Sequence, residues 1–264
     1  AGVRSMCGFN YRRVPAVTMM RQLVADGRLG VIRHVRAQYL QDWIVDPQFP
    51  LVWRLQRDRA GSGALGDIGA HIIDLTQFVT GEQITGVSAA LETFVTERPI
   101  PESSSGLSAV GGAELGSVTV DDAAVFIARF SGGGLATFEA TRFASGRKNA
   151  IRLEINGSKG SLAFDFEDMN VLHFYDDTED RLVAGFRRIL VTEPKHPYVG
   201  AWWPAGHVLG YEHAFTHQVV DLVTAIGLGE DPAPSFADGL RVQRVMAAVE
   251  ASATSGSIWR EIPA

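Results

Sequence analysis

Between Val87 and Thr192 the chain is written as short apolar runs broken by glycine-rich turns, and this constrains its fold more than any other feature. Phe130 and Leu135 flank Ser131-Gly132-Gly133-Gly134, and Ile155 and Ser161 flank Asn156-Gly157-Ser158-Lys159-Gly160. Strand-like segments joined by turns of this kind specify β-hairpins. The expected strands are 87–96, 122–130, 135–143, 151–155, 161–166, 171–175 and 189–192. An earlier one begins at Val31, with Val35, Ala37 and Tyr39 on one face and His34, Arg36 and Gln38 on the other. Residues 4–9 read as a further short strand. Residues 99–116, rich in Ser, Gly and Pro, read as a mobile loop.

Helices are expected around these strands. Pro15 suits a first helical turn, Val17, Met20 and Val24 recur at helical spacing, and Gly27 or Gly30 ends the run. An apolar helix over 67–79 stops at Gly81. Two more close the chain: 211–226, with Phe215, Val219 and Ile226 inward, and 237–253, with Leu240, Val245 and Val249 inward. The expected fold class is therefore α+β, a large, mostly antiparallel open sheet with helices on one face. The alternation Ala124, Phe126, Ala128, Phe130 reads as an apolar outer face on which copies pair.

The 264 residues carry a formal charge of −6 with no basic run, which argues against nucleic acid and anionic membrane surfaces as partners. No apolar stretch approaches the roughly 18 residues of a membrane span. The lone Cys7 excludes an internal disulfide and a thiolate zinc cluster, and suits a reducing cytoplasm. The first residue is not Met, so the chain is expected to begin part-way through a longer protein.

Gly61, Gly63 and Gly66 spell G-x-G-x-x-G before a helix. A dinucleotide fingerprint needs a hydrophobic strand ahead of it, and the charged 54–60 segment cannot supply one. Close backbone approach to a ligand or neighbouring strand is the better reading of these glycines. Just beyond, Asp67 and His71 lie four residues apart on one helical face, with Asp74 along the same stripe. A carboxylate one turn from an imidazole orients it and raises its basicity, as a general base requires. The same residues also suit a plain helix cap and a satisfied core histidine.

A second cluster, His207, Tyr211, His213 and His217, follows the aromatic segment 196–204. Tyr and Trp beside His suit the faces and hydroxyls of a sugar, though Trp202 and Trp203 could equally plug a sheet edge. His213 and His217 share one helical face, but H-E-x-x-H is absent and no metal site is expected.

The segments GFNYRRVPAV, GSGALGDIGAHIIDL, EATRFASGRKN, EINGSKGSL and GYEHAF, in that order, resemble the C-terminal domain of the glucose–fructose oxidoreductase/inositol dehydrogenase (Gfo/Idh/MocA) family from Gly8 onward. The resemblance is nearest to levoglucosan- and inositol-type sugar dehydrogenases. It implies an oxidoreductase acting on a secondary hydroxyl of a sugar, sugar derivative or inositol. It also implies a D-x-x-x-H pair, here Asp67 and His71, as catalytic residues. Asn10 and Arg12 become candidate cofactor contacts, and Tyr11, Arg12, Gln41, Trp43, Trp53, Tyr211 and His213 candidate substrate contacts. NAD or NADP is expected, bound mainly by an absent N-terminal Rossmann domain. Residues 1–12 would then be a remnant of its last strand and linker, and 13–264 the substrate domain. The family's E-K-P lysine has no counterpart, so a fragment of low activity by itself is expected. A homodimer or homotetramer built through the open sheet is implied; a non-catalytic sugar-binding or oligomerisation module is the alternative.

Overall fold

The computed structural model describes residues 2–105 and 108–263 of the chain. Alternation builds the sheet. In strand order along the sequence these are β1 (Ile32–Leu40), β2 (Ile84–Glu92), β3 (Glu97–Ser105), β4 (Ser108–Ser117), β5 (Ala123–Phe130), β6 (Leu135–Thr141), β7 (Ala150–Gly157), β8 (Gly160–Asp165), β9 (Val171–Asp176), β10 (Arg187–Leu190) and β11 (Arg260–Glu261). Nine of them form one sheet ordered β10-β9-β8-β7-β1-β6-β5-β2-β11. Both glycine turns close hairpins as expected, joining β5 to β6 and β7 to β8.

Two expectations change here. The sheet is mixed, because β1 lies parallel to β6 at its centre, with Val35 opposite Ala136 and Tyr39 opposite Ala140. The mostly antiparallel class is corrected accordingly. Local turn signals announce hairpins, whereas a parallel neighbour about a hundred residues away leaves no local mark. Residues 4–9, expected as a short strand, form none.

The helices are α1 (Pro15–Ala25), the short α2 (Arg57–Ala60), α3 (Ala70–Thr80), α4 (Tyr211–Leu228) and α5 (Phe236–Ala253). Pro15 does stand at the start of α1, and Gly81, at φ 72°, takes the left-handed conformation that ends α3. Ser235 and Asp238 cap α5 reciprocally, each accepting a hydrogen bond from the other's backbone N–H. The core lies between the helices and one face of the sheet, where Val17, Met20, Ile72, Leu75, Val245 and Val249 meet Val35, Ala37, Phe126 and Phe138. Phe126 and Phe138 stack at 4.6 Å. Thus Ala124, Phe126, Ala128 and Phe130 face the helices rather than an outer surface; the open face carries Val125 and Ile127 instead.

The inward assignments for α4 are also corrected. Phe215, Val219 and Ile226 are exposed, as is Leu240 on α5. Helical periodicity identifies an apolar stripe but not what lies over it. The 99–116 segment is a β3–β4 ribbon rather than a loop, apart from Gly106 and Leu107, which lie outside the described residues. Its Arg98, fully buried, donates to the carbonyls of Ile44 (2.6 Å), Asp46 (2.7 Å) and Phe49 (3.2 Å). That guanidinium fastens the Pro- and Trp-containing loop after β1 onto the ribbon. Among the described residues no helix is long and apolar enough to cross a membrane.

Candidate active site

The parallel pair decides where chemistry can gather. Because β1 and β6 run the same way, the residues that follow them emerge at one edge of the sheet: Gln41 and Trp43 after β1, Arg142 and Phe143 after β6. Strand β7 runs oppositely, so Asn149, just before it, arrives at that same edge. Carboxyl ends of parallel strands are the usual place for a ligand crevice.

These residues form a continuous hydrogen-bonded chain. The Tyr11 hydroxyl lies 2.6 Å from that of Tyr39, and Tyr39 donates to Asn149 Oδ1 at 2.7 Å. Gln41 Nε2 donates to the same oxygen at 2.9 Å, and Trp43 Nε1 donates to Gln41 Oε1 at 3.0 Å. Burial pushes both phenols above their ordinary pKa; Tyr39 raises Tyr11 further, the hydrogen bond with Tyr11 offsets part of the rise at Tyr39, and both stay neutral. Tyr211, at the start of α4, brings its ring to 5.8 Å from that of Tyr11.

His71, in the first turn of α3, meets this network edge-on. Its ring centroid is 5.2 Å from Tyr11, 5.7 Å from Phe9 and 6.3 Å from Tyr39. The imidazole is half-buried, and its Nδ1 is buried with no hydrogen-bond partner. Burial lowers its pKa while the charge of Asp67 pulls it back up, so near pH 7 the ring is neutral and able to accept a proton.

Asp67 sits in a π-helical turn, Leu65–Gly69, that leads into α3. Such turns recur at functional sites because they break the regular spacing of side chains. Among the described residues no hydrogen bond joins Asp67 to His71. The carboxylate turns to Arg142, whose Nη1 is 3.5 Å from Oδ2. The glycine-rich turn in front is already filled. The Asp121 carboxylate accepts the N–H groups of Gly63 and Leu65, both at 2.7 Å, and a Cβ on Gly63 would stand 1.8 Å from the Asp121 carbonyl oxygen. The protein supplies its own anion to these amides. No phosphate cradle is left there.

The other expected residues divide. Tyr11, Gln41, Trp43 and Tyr211 join the network around His71. Arg12 is engaged elsewhere, paired with Asp74 at 2.8 and 2.5 Å and stacked on Phe78. Asn10 is buried with its Nδ2 unpartnered. Trp53 is exposed with Arg54 across its ring and takes no part in the network around His71. The His213 Nδ1 accepts the Gly210 N–H as part of the α4 cap. Sequence reading missed Tyr39, Asn149 and Arg142. Tyr39 was placed with the core face of β1, which is where its ring is; only the hydroxyl reaches the site.

His217 holds the 196–204 segment rather than a ligand. Its Nε2 accepts from Trp202 Nε1 at 2.7 Å, its Nδ1 lies 3.0 Å from the Arg13 carbonyl, and Tyr198 stacks on it at 4.5 Å. This arrangement needs a neutral ring, and burial pushes its pKa down. The unfolded chain takes up the proton near the ordinary value of about 6.5. The stability this group contributes is therefore complete above pH ~6.5 and lost as pH falls through the lowered native value. Urea midpoints should drop on acidification below pH ~6.5, and His217→Gln should flatten that slope. An unchanged slope in the variant removes His217 as its source.

Comparison with known proteins agrees with this architecture. The family model described as "GFO/IDH/MocA C-terminal domain" matches residues 17–163. The levoglucosan dehydrogenase of Pseudarthrobacter phenanthrenivorans is 41% identical over 98% of this chain and 66% of its own length. The crystal structure of an oxidoreductase domain protein from Kribbella flavida is 71% identical, with a TM-score of 0.93 over 100% of this chain and 67% of that one. A levoglucosan dehydrogenase in complex with NADH and levoglucosan is 38% identical, with a TM-score of 0.89 over 99% of this chain and 67% of its own. The chain spans about two thirds of the length of these relatives. They match 98–100% of this chain, and the sheet they match is the mixed one with β1 parallel to β6, which replaces the mostly antiparallel sheet expected from the sequence. The match by family model and by identity together establish one thing: the chain belongs to the GFO/IDH/MocA family.

Proposed function

We propose that the protein is an NAD(P)-dependent oxidoreductase acting on a secondary hydroxyl of a sugar, sugar derivative or inositol, with His71 and Asp67 as its acid–base pair. The observation that carries this reading is a neutral, half-open imidazole set against a buried phenol–amide network. With its hydrogen on Nδ1, the ring presents Nε2 to the substrate hydroxyl and takes its proton as the C–O bond becomes C=O. The nicotinamide ring, when bound, supplies the hydride acceptor at C4. Asp67 compensates the imidazolium that forms. Tyr11, Gln41, Trp43 and Tyr211 bind and orient the hydroxylated ring, their donors and flat faces matching its hydroxyls and C–H faces.

The residues present fit the reacting end of such a cofactor but not its pyrophosphate. Asn10 offers an orphaned buried amide, whereas the glycine turn is occupied by Asp121. The relatives named above support sugar as the substrate class. Copies of the chain pair through the open sheet face, where Val125, Ile127 and Leu135 are exposed, as a homodimer or homotetramer.

The test is nicotinamide reduction by the purified protein over a panel containing levoglucosan, free sugars and inositols, with NAD and NADP in turn. Reduction with at least one, and a product lighter by two hydrogens, is expected. No turnover with any pair removes the reading. A sedimentation profile of monomers alone at micromolar concentration removes the pairing.

A further inference from the structure

Arg142 is one of the largest fully buried side chains, and it stands beside the site without belonging to its hydrogen-bonded network. It leaves β6 with its backbone N–H on the Asp122 carbonyl, and its Nη2 donates to the Asp121 carbonyl at 3.0 Å. Nη1 reaches Asp67, and Nε has no partner. The Trp43 ring covers one side, its centroid 5.4 Å from the guanidinium carbon. Gly63 leaves the space: a Cβ there would press on Nη2 at 2.9 Å. A buried guanidinium with only one of its three nitrogens in a close hydrogen bond is costly, and structural bracing alone does not require a charge here.

We infer that Arg142 is a positioning residue for His71, acting through Asp67: it shares the carboxylate's charge and holds the carboxylate off the imidazole. This rests on the acid–base role proposed above for His71. The groups facing the imidazole are Asp67 from the π-turn, Tyr11 from the segment before α1 and Tyr39 from β1; the phenols are neutral, so Asp67 is the charge that matters. The groups facing Arg142 are Asp67, Asp121 and Asp122, with Arg98 nearby. While Asp67 is tied to Arg142 it attracts a proton onto His71 only weakly, and the ring stays in the base form. Once His71 takes the substrate proton, the carboxylate can turn from one cation toward the other. A freed Asp67 would protonate the resting ring and remove the base.

The experiment is a proton NMR titration of the His71 ring, assigned by loss of its signal in His71→Gln, in the wild type and in Arg142→Met. The midpoint should rise by about one pH unit in Arg142→Met, the scale of an unshielded neighbouring charge. Arg142→Lys, which keeps the charge, should return it most of the way. Where the methionine variant fails to fold, Arg142→Gln, which keeps a donor for the Asp121 carbonyl, replaces it. In an Asp67→Asn background the rise should fall below half its size. An unmoved midpoint in a folded variant overturns the inference, and so does a rise of full size in Asp67→Asn. The acidic limb of kcat/KM should move upward with the midpoint. If the midpoint moves and the limb does not, the action of Arg142 on His71 stands and the acid–base role of His71 falls.

Discussion

His71→Ala is expected to lower kcat/KM for the best sugar or inositol substrate by about a hundredfold or more, equivalent to roughly 2.7 kcal/mol of transition-state stabilisation. The magnitude follows from what is removed. Among the described residues His71 is the one imidazole that meets both Tyr11 and Tyr39, and its burial keeps it neutral. Without it, the hydroxyl proton must leave to water while hydride departs. The fold should survive, since the lost contacts are ring edges at the periphery of the core. The fall should appear mainly in kcat, because the residues that bind the ring remain. Turnover within a few-fold of wild type, in a protein with unchanged circular dichroism, would remove His71 from the chemistry.

Gly63→Val is expected to cost about 3 kcal/mol or more of stability and to lower the urea midpoint by about 1 M or more. The added Cβ would lie 1.8 Å from a backbone oxygen, which cannot swing aside as a side chain can. Relief means separating the turn from Asp121, and with it two charge-assisted hydrogen bonds at 2.7 Å, each worth about 1.5–3 kcal/mol. Arg142 and the π-turn carrying Asp67 would shift as well. A midpoint within experimental error of wild type would show that the turn and Asp121 part without penalty.

Much of this molecule could be read from its residues, and the unread part has a common cause. Hairpins at Gly132 and Gly157, helix starts at Pro15 and stops at Gly81 are local, set by backbone chemistry within a few residues. Asp67 and His71 stood out as candidates because their spacing is local too. The suspicion against the glycine motif also held, for the charged segment before it gives only the short α2. What escaped was non-local. The pairing of β1 with β6 is unmarked at either strand, and so is the gathering of Tyr39, Asn149 and Arg142 at one sheet edge. Each of the three reads in its own segment as an ordinary strand or loop residue. The exposed stripe of α4 failed for the complementary reason: Phe215, Val219 and Ile226 have the right period for burial, but burial needs a partner surface. Arg12 shows the same limit at one residue, since only the three-dimensional position of Asp74 reveals that its charge is spent.

The central parallel pair also has a kinetic side. Gln38 on β1 bonds Glu139 on β6 at 2.7 Å across 101 positions of chain, and Tyr39 bonds Asn149 across 110. Closing such long loops costs entropy before any contact repays it, so these strands are expected to join late in folding. The candidate crevice is thus tied to completion of the sheet: pairing β1 with β6 is also what brings its polar residues into register.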